Sequence, residues 1–254
     1  MKQSELETVV IVPDTHRPYH DPQAWSLFLK AARMLKPKHL VIIGDFCDFY
    51  AVSSHSKDPQ RTTMLDAEIK DVKVGLDELD SLGAKNKLFV AGNHCDRLNR
   101  YLRDRAPELY TLVGGVPELL GLRERGWRYT PYKESARIGK VWFTHDVGTA
   151  GRYASFKVMD TFQHSAVTGH AHRLQYIVEG NALAECKLSA QFGWLGDASK
   201  VDYMHRVSVN KNWALGFGHG VIDRSTGIGY LTPVPIIPVR RQYTCVVNGK
   251  LLSV

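Results

Sequence analysis

A layered α/β fold is predicted for this 254-residue chain by three observations. Short apolar runs rich in β-branched residues recur, and each stops at a cluster of glycine, carboxylate, asparagine or histidine. Through roughly the first hundred residues these runs alternate with longer stretches of helical periodicity, the pattern of β-α-β units. The second half carries closely spaced strand-like segments separated by turn residues. That predicts a second sheet packed on the first, with helices outside.

Residues 9–12 form the first predicted strand and lead into Pro13-Asp14-Thr15-His16. Asp21 and Pro22 then open a helix as N-cap and first-turn proline. Trp25, Phe28, Leu29, Ala32 and Leu35 carry its apolar face to Lys36, and Pro37 stops it. A strand over 39–43 ends in Gly44-Asp45, with Asp48 three residues on, and 49–61 is polar and irregular. Leu65, Ile69, Val72, Leu76 and Leu79 mark a helix within 62–82 that stops at Gly83. The strand over 87–91 ends in Gly92-Asn93-His94. Residues 96–105 form a helix on which Arg97, Arg100 and Arg103 recur every three residues, a solvated face or a phosphate-facing stripe. The Gly- and Pro-rich stretch 114–131 is a connector or small cap. Later strands are expected over 138–144, 165–168, 174–178, 214–222, 228–232 and 243–247. The whole, 1–254, is one domain with a cap or insertion around 106–135 and a β-rich part over 190–254.

A composition of 44% hydrophobic and 23% charged residues is that of a soluble globular protein. The polar start has no signal-peptide core, and no apolar run approaches the roughly 20 residues of a membrane span. A cytoplasmic setting without membrane attachment is therefore expected. The four cysteines, Cys47, Cys95, Cys186 and Cys245, are scattered without a CxxC pair, which excludes a zinc ribbon or disulfide scaffold. They are expected to be reduced thiols, with Cys47 and Cys95 as apolar filler inside two motif loops. The net charge of +7 favours polyanionic partners.

Five strand ends gather five of the eleven histidines. Neighbouring strands lie about 5 Å apart, so five such edges in one sheet would bring Asp14, His16, Asp45, Asn93, His145, His170 and His172 together. Each motif alone has an ordinary explanation. A lone His-x-His is more often a turn, Asp45 alone caps a helix, and Asn93 suits a left-handed turn position. As a set they supply carboxylate oxygen and imidazole nitrogen in numbers too large for one tetrahedral ion and suited to two.

The order Asp14-x-His16, Gly44-Asp45-x-x-Asp48, Gly92-Asn93-His94, His145, Gly169-His170-x-His172 resembles the calcineurin-like metallophosphoesterases over roughly residues 8–180. The resemblance implies a four-layer α-β-β-α sandwich of two mixed sheets and two divalent metal ions. Mn2+ is the first choice, and Fe, Zn2+ or Ni2+ would also be accepted. Asp14, His16, Asp45 and His172 would hold one ion, and Asp45, Asn93, His145 and His170 the other. His94 would be the proton donor or a phosphate-contacting residue, and Asp48 would orient it and raise its pKa, with Arg97 as a substrate contact. The implied activity is hydrolysis of phosphodiesters, DNA, RNA or nucleotides among them. A phosphomonoesterase and a non-catalytic binding module are the alternatives. Two departures, Arg17 where protein phosphatases of the superfamily have glycine and Phe49-Tyr50 where they have Arg-Gly, argue against a protein phosphatase. Cys95 stands in a slot that is often acidic. For a polymer substrate, the arginines at 97, 100 and 103 and the segment 200–211 with Tyr203, His205, Arg206 and nearby Trp213 would form a groove.

Overall fold

In the computed structural model, which describes residues 5–55, 57, 62–183, 185–200 and 212–254, β1 (Leu6–Val12) is a central strand of a mixed sheet. It pairs in parallel with β2 (His39–Ile42) and antiparallel with β10 (Gly216–Asp223). The six strands run in the order β11 (Gly229–Pro235), β10, β1, β2, β3 (Asn86–Val90), β4 (Trp127–Thr130). The crossovers are α1 (Pro22–Leu35) and α2 (Leu65–Asp80), then α3 (Asp96–Arg105), α4 (Pro107–Val113) and α5 (Val116–Leu119) before β4. Asp21 caps α1 as expected, its Oδ1 accepting from the backbone N–H of Gln23 at 2.9 Å and Ala24 at 3.0 Å.

A second mixed sheet runs β5 (Ala136–Ile138), β6 (Val141–Phe143), β7 (Ala166–Thr168), β9 (Cys186–Phe192), β8 (Leu174–Gly180). Helix α6 (Ala154–Phe162) links the parallel strands β6 and β7 and packs on β7, β8 and β9. A small antiparallel sheet of β12 (Ile237–Val239), β13 (Gln242–Val247) and β14 (Lys250–Ser253) lies against α1.

Alternation along the strands separates two cores. Val10, Val12, Leu40, Ile42 and Phe89 pack with the buried faces of α1, α2 and α3. Val9, Ile11, Val41, Ile43, Leu88 and Val90 pack with Val141, Phe143, Val167 and Phe192 of the second sheet. Both faces are covered, so the parallel strands are near-continuous apolar runs rather than alternating ones. The sheets meet through the second core and turn the same edge outward.

Three expectations need correction. The five ligand-bearing strand ends do not lie in one sheet: β1, β2 and β3 belong to the first and β6 and β7 to the second. The strands expected over 214–222 and 228–232 do not join the second sheet but extend the first beside β1, because β10 finds its register against β1, and the strand expected over 243–247 lies in the small third sheet. The stretch 114–131 is more than a connector, since it holds α5 and ends in β4, paired with β3. Of the irregular 49–61 stretch, the described part includes a 3-10 turn over Tyr50–Val52. Among the described residues, no helix is long and apolar enough to cross a membrane.

Candidate metal centre

The strand ends of both sheets converge on one basin, and all seven expected ligands meet there. Asp14, His16 and His172 offer ligand atoms within 4.8 Å of one another, and so do Asp45, His145 and His170. Asn93 joins the second group, its Oδ1 lying 3.0 Å from both His145 Nε2 and His170 Nδ1. The first group is fully buried, and in the second only His170 is partly exposed. Four of the seven, His16, Asp45, His170 and His172, have φ between 33° and 65°. Non-glycine residues rarely adopt that region, and such conformations concentrate at functional sites. Two glycines make the packing possible. A Cβ on Gly44 would stand 1.9 Å from His145 Nδ1, and one on Gly92 would stand 2.0 Å from Asp45 Oδ1.

The protons show what this basin is built to hold. His145 Nδ1 lies 3.1 Å from the carbonyl of Ile43, which only accepts, so Nδ1 carries the proton. In the neutral ring the Nε2 lone pair then faces Asp45 Oδ2 at 3.2 Å and Asn93 Oδ1 at 3.0 Å. His16 repeats the pattern: Nδ1 donates to Asp48 Oδ2 at 3.1 Å, leaving Nε2 3.0 Å from His172 Nε2. His172 Nε2 in turn lies 3.0 Å from Asp14 Oδ2, and the buried Asp14 Oδ1 has no hydrogen-bond partner among the described residues. Imidazole nitrogens and carboxylates pointing at one another call for positive charge between them, a place that divalent metal fits and that a proton on His145 would otherwise fill. Burial alone would raise the carboxyls of Asp14 and Asp45, yet the surrounding histidines hold both below the usual carboxylate range. Burial likewise opposes protonation of His145, but Asp45 and Asp14 push that ring up to about 10.

Beside the basin, Asp48 ties three groups together. Its Oδ2 accepts from His16 Nδ1 and, at 2.9 Å, from His94 Nδ1, while Arg97 Nη1 donates to its Oδ1 at 2.6 Å. Burial would raise this carboxyl, but His94, His16 and Arg97 hold it far below the usual range. Asp48 was expected to orient His94, and the two side chains are hydrogen-bonded. It was also expected to raise the His94 pKa. Instead, burial outweighs the nearby Asp45 and Asp48 charges and leaves that ring below its ordinary value. Arg97 faces Asp48 rather than open solvent, with Nη2 3.3 Å from His94 Nε2. Arg100 donates to the Asn93 carbonyl at 3.2 Å, and Arg100 and Arg103 both flank Asp96.

Several residues around the site take places that the sequence did not assign them. Arg17, noted there only as a departure from glycine, is buried and lies 4.5 Å over the Trp25 ring. It donates to Asp71 at 3.0 Å and Glu78 at 3.2 Å, clamping the first motif loop to α2. Cys47 and Cys95 are free thiols in the apolar core, the Cys47 N–H lying 3.5 Å from Cys95 Sγ, in keeping with a packing role. Trp194 and Trp213 wall the first ligand group, both within 5 Å of the His172 ring. Of the expected groove segment 200–211, all but Lys200 lies outside the described residues.

Glu68 was also overlooked. It is fully buried on α2 and accepts from the Ala51 N–H at 3.1 Å, holding the loop that follows Asp48. Burial pushes its carboxyl from 4.5 up to about 7. A carboxyl raised on folding stabilises the native state below pH 4.5 and loses that contribution as pH rises to about 7. Glu68→Gln is therefore expected to flatten the fall in stability over this window, a difference of at most about 3 kcal/mol. Urea titrations of both proteins from pH 4.5 to 7.5 measure it, and parallel pH profiles would rule it out.

Aspartate, histidine and asparagine ligands in this order, beside an Asp-His pair, complete the pattern that the sequence resembles. No family model matches the sequence, and no curated protein matches it. Among solved structures the chain is similar to vacuolar protein sorting 29 from Cryptosporidium parvum, at 14% identity over 98% of this chain and 96% of that one, with a TM-score of 0.48. It is similar to YfcE, a phosphoesterase from E. coli, at 14% identity over 89% and 98% of the chains, TM-score 0.38. It is also similar to the Pseudomonas putida nuclease MPE, at 12% identity over 83% and 82%, TM-score 0.34. Likenesses this distant decide nothing about the chemistry of this chain, which rests on its own site.

Proposed function

We propose that this chain is a single four-layered metallophosphoesterase domain that hydrolyses phosphodiesters with two divalent metal ions, nucleic acid or a nucleotide being the substrate. The observation that carries the reading is the convergence of imidazole nitrogens and carboxylates from two sheets on one buried basin, with an Asp-His pair at its edge. Asp14, His16, Asp45 and His172 would hold one ion, and Asp45, Asn93, His145 and His170 the other. Mn2+ suits this mixed oxygen and nitrogen set, as do Fe, Zn2+ and Ni2+. Bound there, the ions would neutralise phosphate charge and acidify water.

The chain's own residues supply the rest. His94 keeps its Nδ1 proton on Asp48, so Nε2 is the nitrogen left to face the departing oxygen, and it acts as the acid once it has taken up a second proton. Asp48 fixes that tautomer, and Arg97 fixes Asp48. The second Arg97 nitrogen, beside His94 Nε2, is placed to touch the substrate at the leaving-group side. A cavity of about 540 Å³ opens there, lined by Ser53, Arg97, Arg100, Tyr101, Asp104 and Arg105. Its volume and its excess of arginine over aspartate suit a substrate whose leaving group carries further phosphate.

The direct test is a panel of bis-p-nitrophenyl phosphate, p-nitrophenyl phosphate, oligonucleotides and cyclic nucleotides, assayed with each metal. The account expects diesters to be preferred, and a clear preference for the monoester would replace it with a phosphomonoesterase. For a polymer substrate, Arg103→Glu with Arg105→Glu should weaken oligonucleotide binding at least about tenfold and flatten its salt dependence. Hydrolysis of the small diester should be spared. Wild-type binding that is insensitive to salt would point to a small nucleotide instead.

A further inference from the structure

Ligand histidines are normally held in place by a hydrogen bond from the nitrogen that does not face the metal. His16 and His145 follow that rule through Asp48 and the Ile43 carbonyl. His172 does not. Its Nε2 faces Asp14 and His16, but its buried Nδ1 has no hydrogen-bond partner among the described residues. The ring instead lies flat on Trp194, with centroids 4.8 Å apart and planes 11° from parallel. His16 and Trp213 meet its other sides edge-on, at 5.0 and 4.3 Å.

We propose that Trp194 is the positioning residue for His172, fixing by ring stacking the orientation that a hydrogen bond fixes in His16 and His145. The inference rests on the metal-dependent reading of the site. Rotation about the histidine χ2 bond is otherwise broad, and turning this imidazole would drive its edge into the indole plane. The indole is itself buried, Trp194 being 3% exposed. Its backbone is held as well, the main-chain N–H donating to the Ala214 carbonyl at 3.1 Å and the carbonyl accepting from Gly216 N–H at 3.1 Å. Leu195, the next residue, donates its N–H to the Asp14 carbonyl at 2.7 Å. One short segment after β9 therefore docks on two ligands at once, on the backbone of Asp14 and on the ring of His172. The stack also favours the loaded state, because an imidazole that donates electrons to a cation becomes electron-poor and is drawn to the indole face.

The test is calorimetric titration of metal-stripped full-length protein with Mn2+, comparing wild type, Trp194→Phe and Trp194→Leu. Trp194→Leu should bind one of the two ions about 10–100-fold more weakly, the range for an outer partner of a ligand histidine. Trp194→Phe, which keeps an aromatic face, should stay near wild type. An independent readout does not depend on the leucine variant folding: Co2+ should quench indole emission of the wild type, and Trp194→Phe should lose the Trp194 share of the quenched component while the share from Trp213 remains. Trp194→Leu binding both ions as wild type does, or Co2+ binding without quenching, would overturn the proposal. A wild type that binds no metal at all would instead sink the functional reading beneath it.

Discussion

Asp45→Asn is expected to leave a folded protein that hydrolyses bis-p-nitrophenyl phosphate at the background rate and retains less metal. Asparagine is nearly isosteric and keeps an acceptor for the His94 N–H, which Asp45 Oδ1 receives at 2.8 Å. What it loses is the charge that Asp45 Oδ2 presents to His145 Nε2. The native carboxyl is buried and nevertheless held well below the usual range, so the site is built around its negative form. The loss should exceed the 10–100-fold typical of residues that only support a ligand. Elemental analysis and the diester assay together check it, and an Asp45→Asn protein with wild-type metal content and rate would remove Asp45 from the account.

The second large effect is expected at His94. His94→Ala should keep its metal and lose about 10²–10⁴-fold in turnover on substrates with poor leaving groups, the usual range for a general acid. p-Nitrophenolate departs without a proton, so the loss there should be much smaller. The geometry behind this contrast is a ring whose Nδ1 is held by Asp48 and whose Nε2 points away from it, beside Arg97 Nη2. His94 also lies edge-on to the His16 ring, 4.5 Å between centroids, so metal content must be measured alongside the rates. Equal losses on both leaving groups would make His94 a phosphate-positioning residue instead.

The parts of the site legible in the sequence are those whose signal is local. An apolar run ending in Gly44-Asp45 or Gly92-Asn93-His94 carries its strand, its turn and its ligands within a few residues. Helix α3 was legible for the same reason, from the spacing of its apolar and arginine positions. What escaped is what depends on partners distant in sequence. Nothing near β10 says that it pairs with β1 rather than with the second sheet. Nothing near Asp48 says that one oxygen serves both His16 and His94. Helix α6 was missed because Tyr153 and Phe156 at its start are exposed and blur its apolar face. β9 went unread although it supplies buried residues to the second core and leads directly into Trp194. Arg17 and Glu68 look like surface residues by type, and only the packing of α2 against the motif loops buries them.

The central claim is that the converging histidines and carboxylates form a metal centre that performs phosphodiester hydrolysis. Metal-stripped protein assayed on bis-p-nitrophenyl phosphate during stepwise return of Mn2+ tests it most directly. The account predicts no turnover without metal and activity that rises until two ions are bound per chain. Full activity of the stripped protein in the presence of chelator would contradict it.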